Sequence, residues 1–402
     1  MTTQHDETQT RTEQPPAYWS GVLAMTLCVF ALVAAEFMPV SLLTPLSREL
    51  SVSEGLVGQG IAISGALAVV TSLSISWLAR SMDRKTLLLW MTGLMIISAV
   101  VIAFAPSYPV YLAGRALIGV AVGGFWSMSA AIAIRLVPTR QVPRALAVFN
   151  GGSALATVVA APLGSWLGSI VGWRGAFFCL APVALAAFIW QWMSLPAMRA
   201  NADANAERSV SVLSLLKNRL VVTGVAACGL FFMGQFALFT YVRPFLETVT
   251  RVSVSTLSLT LLLIGVAGFM GTLLIGRLLR AGFYATLVAI PLLMMAIAGG
   301  LMVFGHSLLF VAPLLGFWGL VATAAPVGWW TWVAKTLPQA AEAGGGLMVA
   351  TVQLSIALGS TLGGLAFDLR GYQSAFTLSA LLLLAAALLT FLTRQREKKR
   401  AV

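Results

Sequence analysis

Two ionisable residues lie in the middle of apolar sequence and are the first candidates for chemistry. Glu36 stands inside the run Leu32–Met38, and Arg115 lies inside another apolar stretch. Glu36 is roughly seven residues before the expected end of its helix near Leu43, and Arg115 roughly seven after the start of its own, which puts both about 10 Å below one membrane surface. An acid in such surroundings is costly unless it is paired or protonated. We therefore expect Glu36 to alternate between a protonated form and an ionised form paired with Arg115 or a substrate. The alternative is a static ion pair that joins two helices.

Polar and aromatic residues share helix faces elsewhere and are the candidates for binding a ligand. Arg115, Gly119, Trp126 and Ser129 recur at helical spacing, and such a face is too polar for lipid. Rings stack on aromatic ligands, and amides and hydroxyls bond their polar edges. The pattern indicates a flat, uncharged ligand, although aromatic side chains also pack against one another or face lipid. The candidate substrate-binding residues are Trp126, Ser129, Asn150, Phe232, Gln235, Phe239, Trp329, Trp330 and Gln353.

Small residues and proline mark positions where helices approach closely or bend. Gly119 lies on the face of Arg115, and Pro162 and Gly164 interrupt another apolar run. Small residues let helices pack tightly, and proline permits bending. We name these three residues as candidates for gating, with tight packing alone as the alternative.

The elements that position these residues must be membrane-spanning helices. The chain has 402 residues, of which 59% are apolar and only 38 are Lys, Arg, Asp or Glu, whereas a soluble chain of this length carries roughly a hundred such charges. A span needs about 20 apolar residues. Charges, Pro and Gly divide the chain into twelve predicted spans: 18–43, 54–79, 86–105, 109–136, 143–168, 175–196, 220–245, 255–279, 283–304, 308–334, 343–366 and 373–393.

The spans form two groups of six around a polar linker. The predicted organisation is an N-terminal tail (1–17), a first six-helix bundle (18–196), a linker (197–219), a second six-helix bundle (220–393) and a basic C-terminal tail (394–402). Basic residues are retained on the cytoplasmic side, and a cytoplasmic N-terminus puts 19 of the 25 Lys and Arg there. Both termini are therefore predicted to be cytoplasmic. The net charge of +12 reflects topology and contact with lipid head groups, with no nucleic-acid partner.

The two groups of spans resemble each other in sequence. Glu36-Phe37 matches Gln235-Phe236, and Gly172–Phe177 matches Gly371–Phe376, each at an offset of 199 positions. A duplicated six-helix unit explains such matches. Parallel repeats of this kind occur in transporters, which bind substrate between the halves near mid-membrane.

Several motifs resemble the drug:proton antiporter branch of the major facilitator superfamily. Arg115–Gly119 is similar to that family's fourth-helix arginine motif, which the resemblance ties to proton coupling. Ala160–Gly164 resembles its fifth-helix antiporter motif, with Ala161 in place of the usual Gly. Trp77–Lys85 stands where the family has its gating loop. Arg80 replaces the usual acid there and Asp83 a glycine, while Arg84 remains, so Asp83 and Arg84 complete the gating candidates.

Within that branch the chain looks most like bacterial purine ribonucleoside efflux pumps. The resemblance lies in Glu36–Pro45, Gly123–Ser129, Gly234–Pro244 and Pro326–Trp332. It implies a monomeric twelve-helix exporter of a bacterial inner membrane that exchanges protons for purine ribonucleosides such as inosine or guanosine. It also implies alternating access driven by the proton gradient, with no cofactor. The alternative keeps the mechanism and exports arabinose-type sugars or hydrophobic drugs.

An enzyme or a channel fits the sequence less well. A membrane enzyme needs clustered His, Asp or Glu, and the two histidines, His5 and His306, are far apart in the chain. No metal-ligand or nucleophile pattern accompanies them. A channel would dissipate the gradients that a proton-coupled transporter uses. The sequence therefore predicts neither enzymatic activity nor a bound metal.

Overall fold

The fold is an array of long helices, seen in a computed structural model that describes residues 17–78, 82–138, 141–198, 215–337 and 341–401. Within these ranges twelve spans are long and apolar enough to cross a membrane. The helices are α1 (Trp19–Leu50), α2 (Glu54–Leu78), α3 (Arg84–Ala103), α4 (Tyr108–Arg135), α5 (Val142–Ile170), α6 (Gly172–Phe178), α7 (Leu180–Ser194), α8 (Arg219–Phe239), α9 (Val242–Thr248), α10 (Val254–Ala281), α11 (Phe283–Phe304), α12 (Leu308–Thr336), α13 (Ala341–Arg370) and α14 (Tyr372–Ala401). The pairs α6/α7 and α8/α9 each form one span.

Some helix ends differ from the sequence-based prediction. The prediction that the first span ends at 43 is wrong, because α1 continues through Pro45 to Leu50 and ends where Ser51 adopts a left-handed φ of 54°. Likewise, α14 continues beyond residue 393 to Ala401. Proline removes a backbone donor and normally breaks a helix, so α1 needs outside partners for the carbonyls that its prolines leave free.

Each half has its own apolar core and repeats the backbone of the other. One core joins mainly residues of α1–α7 and includes Tyr241 of the second half, and the other joins mainly residues of α8–α14 and includes Val40 and Ile61 of the first half. Gly172 and Gly371, at the starts of α6 and α14, have left-handed φ angles of 73° and 74°. Ser51 and Arg251 also share this conformation, with φ angles of 54° and 57°. Equivalent turns at offsets of 199 and 200 positions support the duplication that the sequence predicts.

The two halves meet along three helix pairs. α2 packs against α13, α5 against α10, and the end of α1 against the short helix α9. We call the side of the molecule that carries the α1–α2 turn (51–53) and the α9–α10 turn (249–253) the loop end, and the opposite side the termini end. The residues predicted to act on protons lie on α1 and α4, between these two ends.

Candidate functional site

Two prolines in α1 leave backbone carbonyls without helical partners, and two buried arginines bond to these carbonyls. Proline has no N–H, so Pro39 leaves the oxygen of Ala35 free and Pro45 leaves that of Ser41 free. The Nη1 of Arg115 donates to Ala35 O at 2.8 Å. The Nη1 of Arg243, from the second half, donates to Ser41 O. The two arginines thus supply the hydrogen-bond donors that the prolines lack, and α1 continues through both prolines.

Arg115 lies completely buried at the junction of three helices. From α4, its Nε donates to Gly60 O of α2 at 3.0 Å, and its Nη2 donates to Glu36 O of α1 at 3.1 Å. A buried charge requires hydrogen bonds that replace its hydration. Here backbone carbonyls supply them, and the guanidinium contacts the backbone oxygen of Glu36 instead of its carboxyl group. The two residues do lie at one depth, but the structure does not contain the expected ion pair.

The carboxyl group of Glu36 reaches across to the second half. Glu36 is 6% exposed, and its Oε1 accepts a hydrogen bond from Nε2 of Gln353 on α13 at 3.1 Å. The other atom of this amide, Gln353 Oε1, is buried without a partner among the described residues. Gln353 was predicted to bind substrate, and in this structure it bonds to the acid that was predicted to carry protons.

The remaining substrate candidates differ in exposure. Phe232 and Trp329 are buried in the core of the second half, whereas Asn150 and Trp330 are exposed. The Nδ2 of Asn150 donates to Leu146 O of its own helix at 2.9 Å. Two of these four side chains thus belong to the apolar core, and two are accessible.

Half-buried candidates lie on helices of both halves. Trp126 packs edge-on against Phe149, with centroids 6.2 Å apart, and Phe239 packs edge-on against Phe236. Gln235 Oε1 and Ser129 Oγ are buried without partners among the described residues. Phe37 and Phe236 stack on each other at 5.8 Å. These last two residues occupy equivalent positions in the two repeats.

The gating candidates contact neighbours within the first half. A Cβ on Gly119 would lie 2.2 Å from Ser64 O of α2, and one on Gly164 would lie 2.6 Å from Ser41 Oγ of α1, so α4 and α5 pack closely on these helices. Pro162 lies inside α5. Asp83 accepts hydrogen bonds from the backbone N–H groups of Lys85 and Thr86 and caps α3. The backbone N–H of Arg84 donates to Met198 O.

The loop end holds contacts between the halves that the sequence did not indicate. Asp368, at the end of α13, accepts from Ser53 Oγ at 2.5 Å and from the backbone N–H of Gly55 at 3.1 Å. It therefore caps the N-terminus of α2 from the other half. Arg243, which bonds to Ser41 O, also pairs with Glu247 at 2.8 Å. We call the contacts made by Ser53, Gly55, Asp368 and Arg243 the loop-end latch.

The latch and the Glu36–Gln353 hydrogen bond account for the hydrogen bonds between halves that the described residues form. Only the spacing of Arg243 and Glu247, four residues apart, could have suggested the buried ion pair. Nothing in the sequence indicated that Asp368 would reach α2. In this structure the halves are thus bonded to each other at the loop end and, between the two ends, at Glu36 and Gln353.

Comparisons with known proteins agree with this architecture. A family model described as Major Facilitator Superfamily matches residues 25–360. The chain is 62% identical, over 98% of both chains, to the "Transcription regulatory protein OpdE" of Pseudomonas aeruginosa. It is 39% identical, over 92% of both chains, to the "Purine ribonucleoside efflux pump NepI" of Salmonella typhimurium.

Solved structures share the fold at low sequence identity. A D-xylose-proton symporter superposes with a TM-score of 0.73 at 16% identity, covering 93% of this chain and 97% of its own. A bacterial homologue of the human lysosomal transporter Spinster gives a TM-score of 0.71 at 16% identity, covering 93% and 96%. The arrangement of helices described above is therefore shared with transporters of quite different sequence.

Proposed function

The chain belongs to the major facilitator superfamily and is a multi-pass membrane transporter, and from this membership we propose that it exports purine ribonucleosides in exchange for protons. In this proposal the protein is a monomer in the inner membrane of a bacterium and uses the proton gradient without a cofactor. The excess of Lys and Arg in the termini and in the loops on their side supports a cytoplasmic termini end. The latched loop end then faces outward.

The buried carboxyl group of Glu36 at the contact between the halves is the observation that carries this proposal. Alternating access requires the halves to separate at one end while they close at the other. Glu36 bonds directly to the opposite half through Gln353, so a change in its protonation changes the strength of that contact. Arg115 holds the backbone beside the carboxyl group through hydrogen bonds to the carbonyls of Ala35 and Glu36.

The half-buried residues offer the chemistry that a nucleoside needs. Trp126 and Phe239 present aromatic rings on which a purine can stack. Gln235 and Ser129 each carry a buried oxygen without a partner, which supports hydrogen bonds to the base or the ribose. Gly119 and Gly164 keep α4 and α5 close to their neighbours, so that the first half moves as a unit.

The choice of purine ribonucleosides over other solutes rests on the 39% identical efflux pumps. Export of arabinose-type sugars or hydrophobic drugs by the same mechanism is the competing assignment. Everted membrane vesicles distinguish them, because an exporter accumulates labelled inosine inside such vesicles when their lumen is acidic. We expect accumulation that nigericin abolishes and that excess guanosine inhibits. Inhibition by arabinose with none by guanosine would refute the nucleoside assignment but would not refute proton-driven export.

The 62% identical relative supports a second role, because it is named a transcription regulatory protein. A transporter alters transcription when it removes from the cytoplasm a solute to which a regulator responds. Transcript levels in a strain lacking this protein should then be restored by the wild-type chain and not by a variant that cannot export. Restoration by an export-deficient Glu36→Gln chain would show that transport is not the link.

A further inference from the structure

Gln353 lies where the two halves are in direct backbone contact. It is 6% exposed on α13. Beside it, a Cβ on Gly65 of α2 would lie 2.8 Å from Gln353 O and 3.2 Å from the Cβ of Ala357. Such close packing leaves no room for a side chain between α2 and α13 at this level. The amide of Gln353 must therefore find its hydrogen bonds among the protein groups around it.

The hydrogen bonds of this amide are only half complete. Nε2 donates to Glu36 Oε1, while Gln353 Oε1 is buried without a donor among the described residues. An ionised carboxylate is an acceptor only and cannot supply that donor. A protonated carboxyl group has one hydroxyl, which can donate to the amide oxygen while the other carboxyl oxygen accepts from the amide nitrogen. Both atoms of the amide are therefore satisfied only when Glu36 carries a proton.

Most other ionisable groups near α1 are already bonded or lie toward its ends, and the exception is the hydroxyl of Tyr111, which is buried without a partner among the described residues. Arg115 on α4 donates to three carbonyls, and Tyr111 lies one turn before it. Arg243, paired with Glu247 on α9, bonds to Ser41, which is about 7.5 Å along α1 from Glu36. The remaining charged groups on α1, on the helices packed against it and on α13 lie at or near helix ends: Arg48, Glu49, Glu54, Arg84, Lys85, Arg135, Arg144, Arg174, Glu342, Asp368 and Arg370. Gln353 is thus the neutral partner of this carboxyl group in the second half.

We propose that Gln353 is the positioning residue through which protonation of Glu36 holds the two halves together with the loop end closed. With Glu36 protonated, the carboxyl and amide groups form two hydrogen bonds across the interface. When Glu36 loses its proton, one of these bonds is lost and a charge is left at the contact, so the loop-end latch opens more readily. This inference rests on the proposed proton coupling through Glu36.

The distance across the loop end, measured against pH, tests the inference. Spin labels are attached to Arg48→Cys and Arg370→Cys, two exposed positions on opposite halves, in the full chain with its three native cysteines replaced. The open-to-closed ratio should rise with pH by up to about tenfold per unit, the limit for one linked proton. Gln353→Leu should abolish this dependence. Glu36→Gln, which mimics the protonated acid, should keep the low open-to-closed ratio of the protonated wild-type chain at every pH.

Two further variants separate this role from a general loss of packing. Gln353→Glu retains a side chain that can share protons with Glu36, and it should restore a pH dependence with a displaced midpoint. Gln191→Leu removes an equally buried amide that bonds within the first half, and it should retain the wild-type dependence.

The outcomes distinguish the inference from the proposed function. If Glu36→Gln loses the pH dependence while Gln353→Leu retains it, Glu36 still couples protons and the role of Gln353 is refuted. If Glu36→Gln retains the dependence, protons act elsewhere, and both the coupling through Glu36 and the role of Gln353 are refuted.

Discussion

The loop-end latch makes a quantitative prediction for Asp368→Asn. The carboxylate of Asp368 accepts from Ser53 Oγ and from the backbone N–H of Gly55 at the N-terminus of α2. Asparagine keeps the shape, but its amide nitrogen cannot accept the second hydrogen bond, and the negative charge beside the helix N-terminus is lost. Asp368 is exposed, so we assign the change about 1–2 kcal/mol. The closed state should weaken by that amount relative to the open state.

An energy of about 1–2 kcal/mol corresponds to a five- to thirtyfold rise in the open-to-closed ratio. Pulsed electron paramagnetic resonance with the labels at positions 48 and 370 measures this ratio directly. Glu49→Gln is the matched control, because Glu49 is also a loop-end acid but bonds to Trp173 and Arg174 within the first half. An unchanged ratio in Asp368→Asn, or an equal rise in Glu49→Gln, would refute the latch.

Three further predictions follow from the contacts within and around the site. Arg115→Met should lower the unfolding midpoint by several degrees because it removes the donor to the freed carbonyl of Ala35 and to two further carbonyls. Adding Pro39→Ala should recover part of the loss by restoring a backbone N–H to Ala35 O, and additive effects of the two changes would contradict this. Gly119→Val should prevent α4 from packing on α2 and reduce the yield of folded protein. The control Gly151→Ala, whose Cβ would meet nothing within 4 Å, should behave like wild type, and equal yields of the two variants would count against the close contact at Gly119. Trp126→Ala should lower the affinity for inosine by roughly five- to 150-fold, from a loss of stacking of roughly 1–3 kcal/mol, in thermal-unfolding titrations with arabinose as the control ligand. Unaltered inosine binding would exclude Trp126 from the site.

The sequence predicts the spans well because a bilayer imposes a simple requirement on length and polarity. It fails where a partner from elsewhere in the chain changes the outcome. The first helix was expected to end near Leu43, and it continues through Pro45, because Arg243 of the other half bonds to the carbonyl that this proline frees. The break between α8 and α9 at Thr240 and Tyr241 likewise lies inside one predicted span, 220–245.

The sequence predicts only part of the candidate site, again because partners from elsewhere in the chain decide the contacts. Glu36 and Arg115 stand out because charges are rare inside spans, and their equal depth follows from helix geometry. Their hydrogen-bond partners depend on the packing of helices far apart in sequence, which places Gln353 on Glu36 and backbone carbonyls on Arg115. The rule that opposite charges pair therefore predicts an ion pair between Glu36 and Arg115. In the structure Glu36 bonds to Gln353 instead, and Arg115 bonds to backbone carbonyls.

The measurement that tests the central claim most directly is inosine transport by Glu36→Gln in proteoliposomes, with and without a pH gradient. The account predicts that the variant still exchanges labelled for unlabelled inosine but no longer accumulates it against a concentration gradient when ΔpH is imposed. The wild-type chain should do both. Accumulation by Glu36→Gln at the wild-type level would contradict the claim that this buried carboxyl group carries the proton.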